Sequence, residues 1–424
     1  MMRANLHPET GGLTVGMLPY IYGGGTYVPY DAWYMHQALL LTNNTKEAAK
    51  HLDYYQMQYE TGKELALQFG LKGATFSGWA SCYGEHKDDN IKHYLLFLKP
   101  MMVGFITLII YWQWKYTGKL SERQKEMLKD SLKFIITSSI VDKGDIAEVV
   151  PCKSGSESAA EVKNDTFTAL AFARALKGAF EIFGSTEYEK LSDKLYNGLR
   201  KNYCNDVLMP YHDAWYLTGL QIWFYILNLP DGIPAAYFEK LLDDMKTPKG
   251  YTAIQPTEYA LDWPWMAARG AICMSHLKNP KKAFELLLHQ KKHTSSLGAL
   301  PEKIRIDGYP LLYWYSTPHG LFIWSLCAAL AHIDKNNCVN LLYGLDGQWK
   351  KLNFKNLRLP GEILVSVKIE NKEATLIELV NSSSKIIEIG LDINPVYGDG
   401  PGMSTKKITL GAGEKYSWEA RHVD

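Results

Sequence analysis

Two consecutive stretches decide the fold: Met101-Met-Val-Gly-Phe-Ile-Thr-Leu-Ile-Ile-Tyr-Trp-Gln-Trp114, and then Glu122-Arg-Gln-Lys-Glu-Met-Leu-Lys-Asp-Ser-Leu-Lys-Phe134. The first is apolar on every face of a helix, and the second is apolar on one face and charged on the other. A helix with no polar side must be covered all round, and an amphipathic neighbour can supply one side of that cover. The apolar run Met101 to Trp112 is about 12 residues long. A bilayer span takes about 20, so this run reads as a fully buried helix.

The alternation recurs along the chain. Phe167–Phe180 is apolar and Tyr188–Arg200 is amphipathic. Helical spacing of apolar residues predicts helices at Trp33–Leu41, Lys46–Phe69, Leu95–Trp114, Leu128–Ser138, Phe167–Phe183, Tyr188–Tyr203, Trp215–Leu227, Pro234–Met245, Trp263–His276, Lys281–Lys291 and His319–His332. Ser121 and Gln124 have capping-box spacing, and Gly184 is placed to close a helix. About six pairs of inner and outer helices make a closed (α/α)6 toroid. An open solenoid would show a fixed-period repeat, and none is visible.

After Asn336 the periodicity changes. Ile363–Ile369, Ala374–Val380, Lys385–Ile393 and Lys406–Leu410 are short and β-rich, with turn residues between them. This predicts a small C-terminal β-sandwich. The expected division is a helical domain over 1–335 and a β-domain over 336–424.

The chain has 424 residues, 46% hydrophobic and 21% charged, with a formal net charge of +1. That composition is ordinary for a globular protein with a large core. The charge suggests neither nucleic acid nor a membrane surface as partner. Six scattered cysteines with no C-x-x-C pair read as reduced core thiols. Zinc-finger spacing and H-E-x-x-H are absent from the sequence. The first residues, Met1 to Pro8, show no apolar run of the signal-peptide kind, so a cytoplasmic location is expected. Oligomeric state is not legible.

The loops leading into the apolar helices are long and rich in Gly, Trp, Tyr and carboxylates: Gly23–Asp31, Gly73–Asp89, Val149–Asp165, Tyr251–Trp265 and Ser295–Thr317. Such loops at one end of a toroid build a site. Within the third, Glu157 sits in a Gly/Ser turn ahead of Asn164 and a helix start. A carboxylic acid kept beside a helix N-terminus suits general acid work; the plain alternative is a solvated loop acid. Asp31 lies between Tyr30 and Trp33, which suits sugar hydroxyls and C–H faces, or it caps a helix. Gly23-Gly24-Gly25 lets backbone approach a ligand, with no Lys/Ser following to make it a phosphate loop. Glu258 is a further acidic candidate, better read as structural. Trp215, Trp263 and Trp265 sit at loop–helix junctions, where core packing competes with a role as sugar platforms.

The motifs and their order resemble the (α/α)6-barrel glycoside hydrolases and phosphorylases of families 15, 65, 94 and 95. Tyr27-Val-Pro-Tyr-Asp-Ala-Trp33 looks like a family 65 segment whose Asp holds hydroxyls of the sugar being cleaved. Gly73-Ala-Thr-Phe-Ser-Gly-Trp-Ala-Ser-Cys-Tyr-Gly-Glu85 resembles an aromatic and acidic loop of the same group, with Ser77, Gly78 and Ala80 departing from its pattern. Gly155-Ser-Glu157 falls on the acid-bearing motif, without its Pro-Asp, and Asn164, Phe167 and Thr168 follow in step. Leu300-Pro-Glu302 followed by Trp314-Tyr-Ser-Thr-Pro-His-Gly looks like the base-bearing run of family 15.

The resemblance implies an inverting glycosidase acting on an oligosaccharide, with Glu157 as general acid and Glu302 as general base. Around the substrate it implies Tyr30, Asp31, Trp33, Trp79, Glu85, Asn164, Trp314 and His319. Two carboxyl groups suffice for this chemistry, with no metal and no organic cofactor. His293-Thr-Ser-Ser296 resembles a family 65 phosphate site and introduces the alternative of phosphorolysis. His212, His293 and His319 leave a sugar epimerase or polysaccharide lyase open, and an inactive carbohydrate-binding toroid is the remaining alternative.

Overall fold

The computed structural model describes residues 6–15, 28–78, 80–84, 99–153, 161–204, 207–214, 235–248, 250–251, 262–296, 298–305, 307–398 and 406–420. The helical part opens with α1 (Pro29–Leu41), α2 (Thr45–Met57) and α3 (Tyr59–Gln68), followed by α4 (Lys99–Thr117) and α5 (Glu122–Ser139). Two short hairpins come next: β1 (Ile140–Asp142) with β2 (Ala147–Val149), and β3 (Cys152–Lys153) with β4 (Glu161–Val162). Then follow α6 (Thr166–Phe183), α7 (Thr186–Gly198), and β5 (Tyr203–Cys204) with β6 (Val207–Leu208). After α8 (Ala235–Asp244) come α9 (Pro264–His276), α10 (Pro280–Lys292), the hairpin β7 (Pro301–Ile304) and β8 (Pro310–Tyr313), and α11 (Ser316–Leu330).

The apolar helices form the inner ring. α1 packs on α4, α4 on α6, α9 on α11, and α11 returns to α1. The helix expected at Trp215–Leu227 lies outside the described residues. α1, α4, α6 and α9 are each covered by the outer helix that follows, α2, α5, α7 and α10 in turn. α4 is buried nearly all round, from Val103 through Phe105, Ile106, Leu108 and Ile109 to Tyr111. α5 buries Met127, Leu128, Leu132, Phe134 and Ile135 on one face and opens on the expected Ser121–Gln124 capping box. α6 starts on the Asp165 side-chain cap and ends at Gly184 in the left-handed conformation.

Ring closure is a backbone contact. At Gly320 in α11, a Cβ would lie 2.8 Å from the Met35 nitrogen and 2.9 Å from the Tyr34 carbonyl carbon of α1. Only a residue without a side chain lets the two helices approach this closely. Polar struts add to the ring. Arg269 of α9 donates to the Tyr34 hydroxyl of α1 at 2.6 Å, and Arg174 of α6 donates to the Tyr111 hydroxyl of α4 at 2.5 Å. Both guanidiniums are buried, so these bonds satisfy groups that would be costly unpaired.

The C-terminal region is a sandwich of two four-stranded sheets, as expected. One contains β9 (Ala331–Ile333), β10 (Cys338–Leu341), β14 (Ile387–Ile393) and β15 (Lys406–Leu410). The other contains β11 (Lys351–Leu359), β12 (Ile363–Glu370), β13 (Glu373–Asn381) and β16 (Lys415–Glu419). The division expected at 335/336 falls between β9 and β10. Arg358 of β11 donates to Asn43 at 2.8 Å and to the Tyr116 carbonyl at 3.0 Å. Those residues end α1 and α4, so the sandwich covers the C-terminal end of the inner ring.

Some boundaries differ from the periodicity. The stretch Lys46–Phe69 is two helices, because the Gln58 N–H closes a tighter turn onto the Tyr55 carbonyl at 3.1 Å. The last helix starts at Ser316 and ends at Leu330, where Ala331 turns extended (φ −159°) and enters β9. The six cysteines are free thiols. Among the described residues no helix is long and apolar enough to cross a membrane.

Several histidines are buried in this core. His36 of α1 meets His51 of α2 through their Nδ1 atoms at 3.1 Å, and His276 lies against His332 with ring centroids 4.1 Å apart and planes tilted by 34°. Burial lowers the His36 pKa to about 3 and the His332 pKa to about 4, and takes His51 and His276 well below the ordinary value. The unfolded chain protonates these rings below about pH 6.5, while the folded chain keeps them neutral. Their contribution is therefore full above that pH and is lost as pH falls toward about 4. The melting temperature is expected to drop steadily from pH 6.5 to 4, and a flat profile across that window would contradict this reading.

Candidate functional site

The inner helices α1, α9 and α11 start at the end of the ring away from the sandwich, and the described part of the site is built there. Asp31 lies in the first turn of α1, buried at 3% exposure. Its Oδ1 accepts a bond from the Tyr315 hydroxyl at 3.2 Å and a shorter one from the Thr317 hydroxyl. Tyr315 caps α11 and Thr317 is in its first turn. The carboxylate thus ties the start of the first inner helix to the start of the last.

Glu302 is on β7, the strand that leads through a hairpin into α11. It is 5% exposed, with the Lys303 ammonium 4.0 Å away. β7 is fixed on three sides. Its cross-strand register pairs Pro301 with Tyr313 and Lys303 with Leu311. Ile304 forms a backbone bridge with Asp262, with bonds of 2.9 and 2.7 Å. Just ahead of it, the Leu300 N–H donates to His319 Nε2 at 3.2 Å.

His319 in turn places its Nδ1 2.8 Å from the Tyr315 carbonyl. An acceptor Nε2 requires the proton on Nδ1, so the ring is neutral and both nitrogens are engaged. Burial agrees, lowering its pKa to about 4. A continuous chain, Leu300–His319–Tyr315–Asp31, therefore links the loop carrying Glu302 to the carboxylate of α1.

Aromatic rings surround these groups. Trp263 and Trp265 stack with centroids 5.0 Å apart, and the Lys303 ammonium lies 5.2 Å above Trp263. Trp265 also meets Tyr315 edge-on at 6.3 Å. Trp314 stacks on His319 and has φ +65°, a conformation rare for a bulky side chain. Holding it costs on the order of 1–3 kcal/mol, which surrounding structure must offset. Tyr30 is half-buried beside Phe105.

Other expected site residues are placed differently. Trp33 is 1% exposed and packs on Tyr34, Phe105 and Trp324 inside the ring, so it is core and not a sugar platform. Asn164 is buried with φ +50°, and its amide is spent on the protein. Oδ1 accepts from the Val149 N–H at 3.0 Å, and Nδ2 donates to the Gly198 carbonyl at 3.2 Å and to Asn202 at 3.3 Å. His319 holds the loop before Glu302 and has no nitrogen left for a sugar. Ser295 Oγ accepts from the Ala299 N–H at 2.9 Å, closing its own turn. Glu157, Trp79, Glu85, Trp215, Glu258 and Gly23–Gly25 lie outside the described residues. The flanks of Glu157, β3 and β4, are paired just ahead of α6.

Sequence reasoning missed Tyr315 and Thr317, although both lie in the quoted run after Trp314. It also missed Asp262 and His289. The H-x-x-x-H spacing of His289 and His293 on one helix was the available signal.

No protein-family model matches the sequence, and no curated protein matches it. Solved structures do resemble it. A wild-type glycosidase aligns with a TM-score of 0.64 at 11% identity, over 77% of this chain and 93% of that one. A putative kojibiose phosphorylase from human microbiome aligns with a TM-score of 0.60 at 13% identity, over 99% of this chain and 64% of that one. A bacterial glucoamylase complexed with acarbose gives 0.54 at 12%, over 76% and 52%. At these identities the likeness is one of fold: the chain has the (α/α)6 toroid of this glycosidase and phosphorylase group.

Asn164→Ala removes three buried bonds and strands their partners. It is expected to lower unfolding free energy by about 3 kcal/mol or more, at roughly 1–3 kcal/mol for each of the buried groups left unpaired. Chemical denaturation measures this; unchanged stability would return the amide to the list of substrate ligands.

Proposed function

We propose that the protein cleaves glycosidic bonds, as an inverting hydrolase with Glu157 as general acid and Glu302 as general base. The observation that carries this is Glu302 itself. A carboxylate is held nearly out of solvent on a braced strand at the mouth of the ring, and the ammonium of the next residue, Lys303, lies over the Trp263 ring. A general base for this chemistry is a carboxylate held in place within reach of the water it activates.

In this mechanism Glu302 removes a proton from water as the water attacks the anomeric carbon. Glu157 gives a proton to the departing glycosidic oxygen as the C–O bond breaks, and the configuration inverts. The two carboxyl groups of such enzymes stand about 6.5–9.5 Å apart, leaving room for the water. Asp31 orients a sugar hydroxyl, and Trp263 and Trp314 offer ring surface to the sugar. The expected partner is an oligosaccharide.

Phosphorolysis is the second reading, because the phosphorylase likeness extends over 99% of the chain, sandwich included. There phosphate takes the place of water and Glu302 is not a base. The Ser295 hydroxyl, where the resemblance would put phosphate, accepts from the Ala299 N–H in its own turn and keeps its O–H proton to donate.

Glu302→Gln and Glu157→Gln are each expected to lower kcat by about 10²–10⁴-fold with the fold intact. Circular dichroism and steady-state kinetics report both quantities. A Glu302→Gln enzyme with wild-type kcat would remove Glu302 from the role of base.

A further inference from the structure

Behind β7, three donor atoms converge that the proposed cleavage does not use. Asp262 Oδ2 lies 2.9 Å from His289 Nε2 and closer still to His293 Nε2. The two Nε2 atoms are 3.1 Å apart. His289 and His293 are one turn apart at the C-terminal end of α10, so their rings leave the same face.

Hydrogen bonding explains this triangle poorly. Two neutral imidazoles bring at most two protons to three edges, so one edge has none. If both protons point at the carboxylate, the bare edge is the 3.1 Å contact between the two nitrogens. One cation inside the triangle satisfies all three atoms at once. Ligands about 2.0–2.1 Å from a tetrahedral zinc lie about 3.3 Å from one another; the His289–Asp262 and His289–His293 separations of 2.9 and 3.1 Å are close to this, and His293 lies nearer to Asp262.

We propose that Asp262, His289 and His293 bind a divalent transition metal ion, zinc by preference. Two imidazole nitrogens and one carboxylate oxygen are the donor set of such ions. The surroundings fit. Asp262 Oδ1 is held by the Tyr251 N–H at 2.9 Å, which leaves Oδ2 to point at the histidines. A Cβ on Gly250 would fall 2.0 Å from that Oδ2, so the carboxylate rests on a bare backbone. The Tyr251 ring meets the His289 ring edge-on at 5.3 Å and walls one side. The His289 and His293 side chains keep 10% and 13% exposure, an opening for ion entry and for a water as fourth ligand.

The site's work is positional. Asp262 is the residue whose backbone bridges Ile304, two residues after Glu302. An ion there clamps the end of α10 to the strand bearing Glu302. The ion is not asked to take part in bond cleavage, and the proposal stands whether the protein hydrolyses, phosphorolyses or only binds sugar.

The test is zinc binding to the whole purified chain after chelator treatment, read by isothermal titration calorimetry and by the visible spectrum of the cobalt-substituted protein. One ion per chain is expected, with a rise in melting temperature and the absorption of tetrahedral cobalt. His289→Gln and His293→Gln together are expected to weaken zinc binding by about tenfold or more. Circular dichroism checks that this variant folds, and His293→Gln alone, at the open side, serves if the pair does not. No one-to-one binding by the wild-type chain overturns the proposal, and so does binding that a folded variant leaves unchanged.

Discussion

The structure depends on the last inner helix meeting the first. A ring of helices buries its apolar faces only if it closes, and closure rests on α11 lying directly on the backbone of α1 at Gly320. The same contact places Tyr315 and Thr317 against Asp31. A packing constraint thereby becomes a site constraint: what holds the ring shut also sets the carboxylate at its mouth. Arg269 and Tyr34 repeat the device one helix earlier, with a buried charge joined to a hydroxyl across the ring.

Closure makes the two ends of the toroid unequal. The sandwich follows α11 directly and reaches α1 and α4 through Arg358, so one end is covered. The other end receives the loops before each inner helix. There the chain holds costly arrangements that a purely structural end would not need. Trp314 sits at positive φ, a neutral histidine spends both nitrogens on a loop, and a glutamate is buried beside an ammonium. Strain and buried polarity held in place by the surrounding structure are what a preorganised site carries.

Most of the architecture was legible because burial acts on whole helices. The contrast between Met101–Trp114 and Glu122–Phe134 follows from which sides each helix must cover, and the ring order repeats it. Asp31 and Glu302 were legible as carboxylates in aromatic loops, and both lie at the mouth. Asn164 and His319 were not legible in their actual roles. An amide or imidazole in a loop reads the same whether it binds ligand or backbone, and only the partners decide. Trp33 misled for a related reason, since a tryptophan beside a site and one in the core share one spacing. β11 escaped notice because it is largely exposed and rich in Lys and Asn. Its register shifts between Phe354 and Leu357, breaking the alternation. The H-x-x-x-H spacing of His289 and His293 is local, but nothing local joins them to Asp262, 27 and 31 positions earlier.

The central claim is that the mouth of this toroid cuts glycosidic bonds with water. The most direct measurement is product analysis after incubating the protein with a panel of α- and β-linked disaccharides and oligosaccharides, with and without phosphate. Free sugar released at the same rate in both conditions, with inverted anomeric configuration, is the predicted result. Release of a sugar 1-phosphate only when phosphate is present, or no release from any substrate, would contradict it.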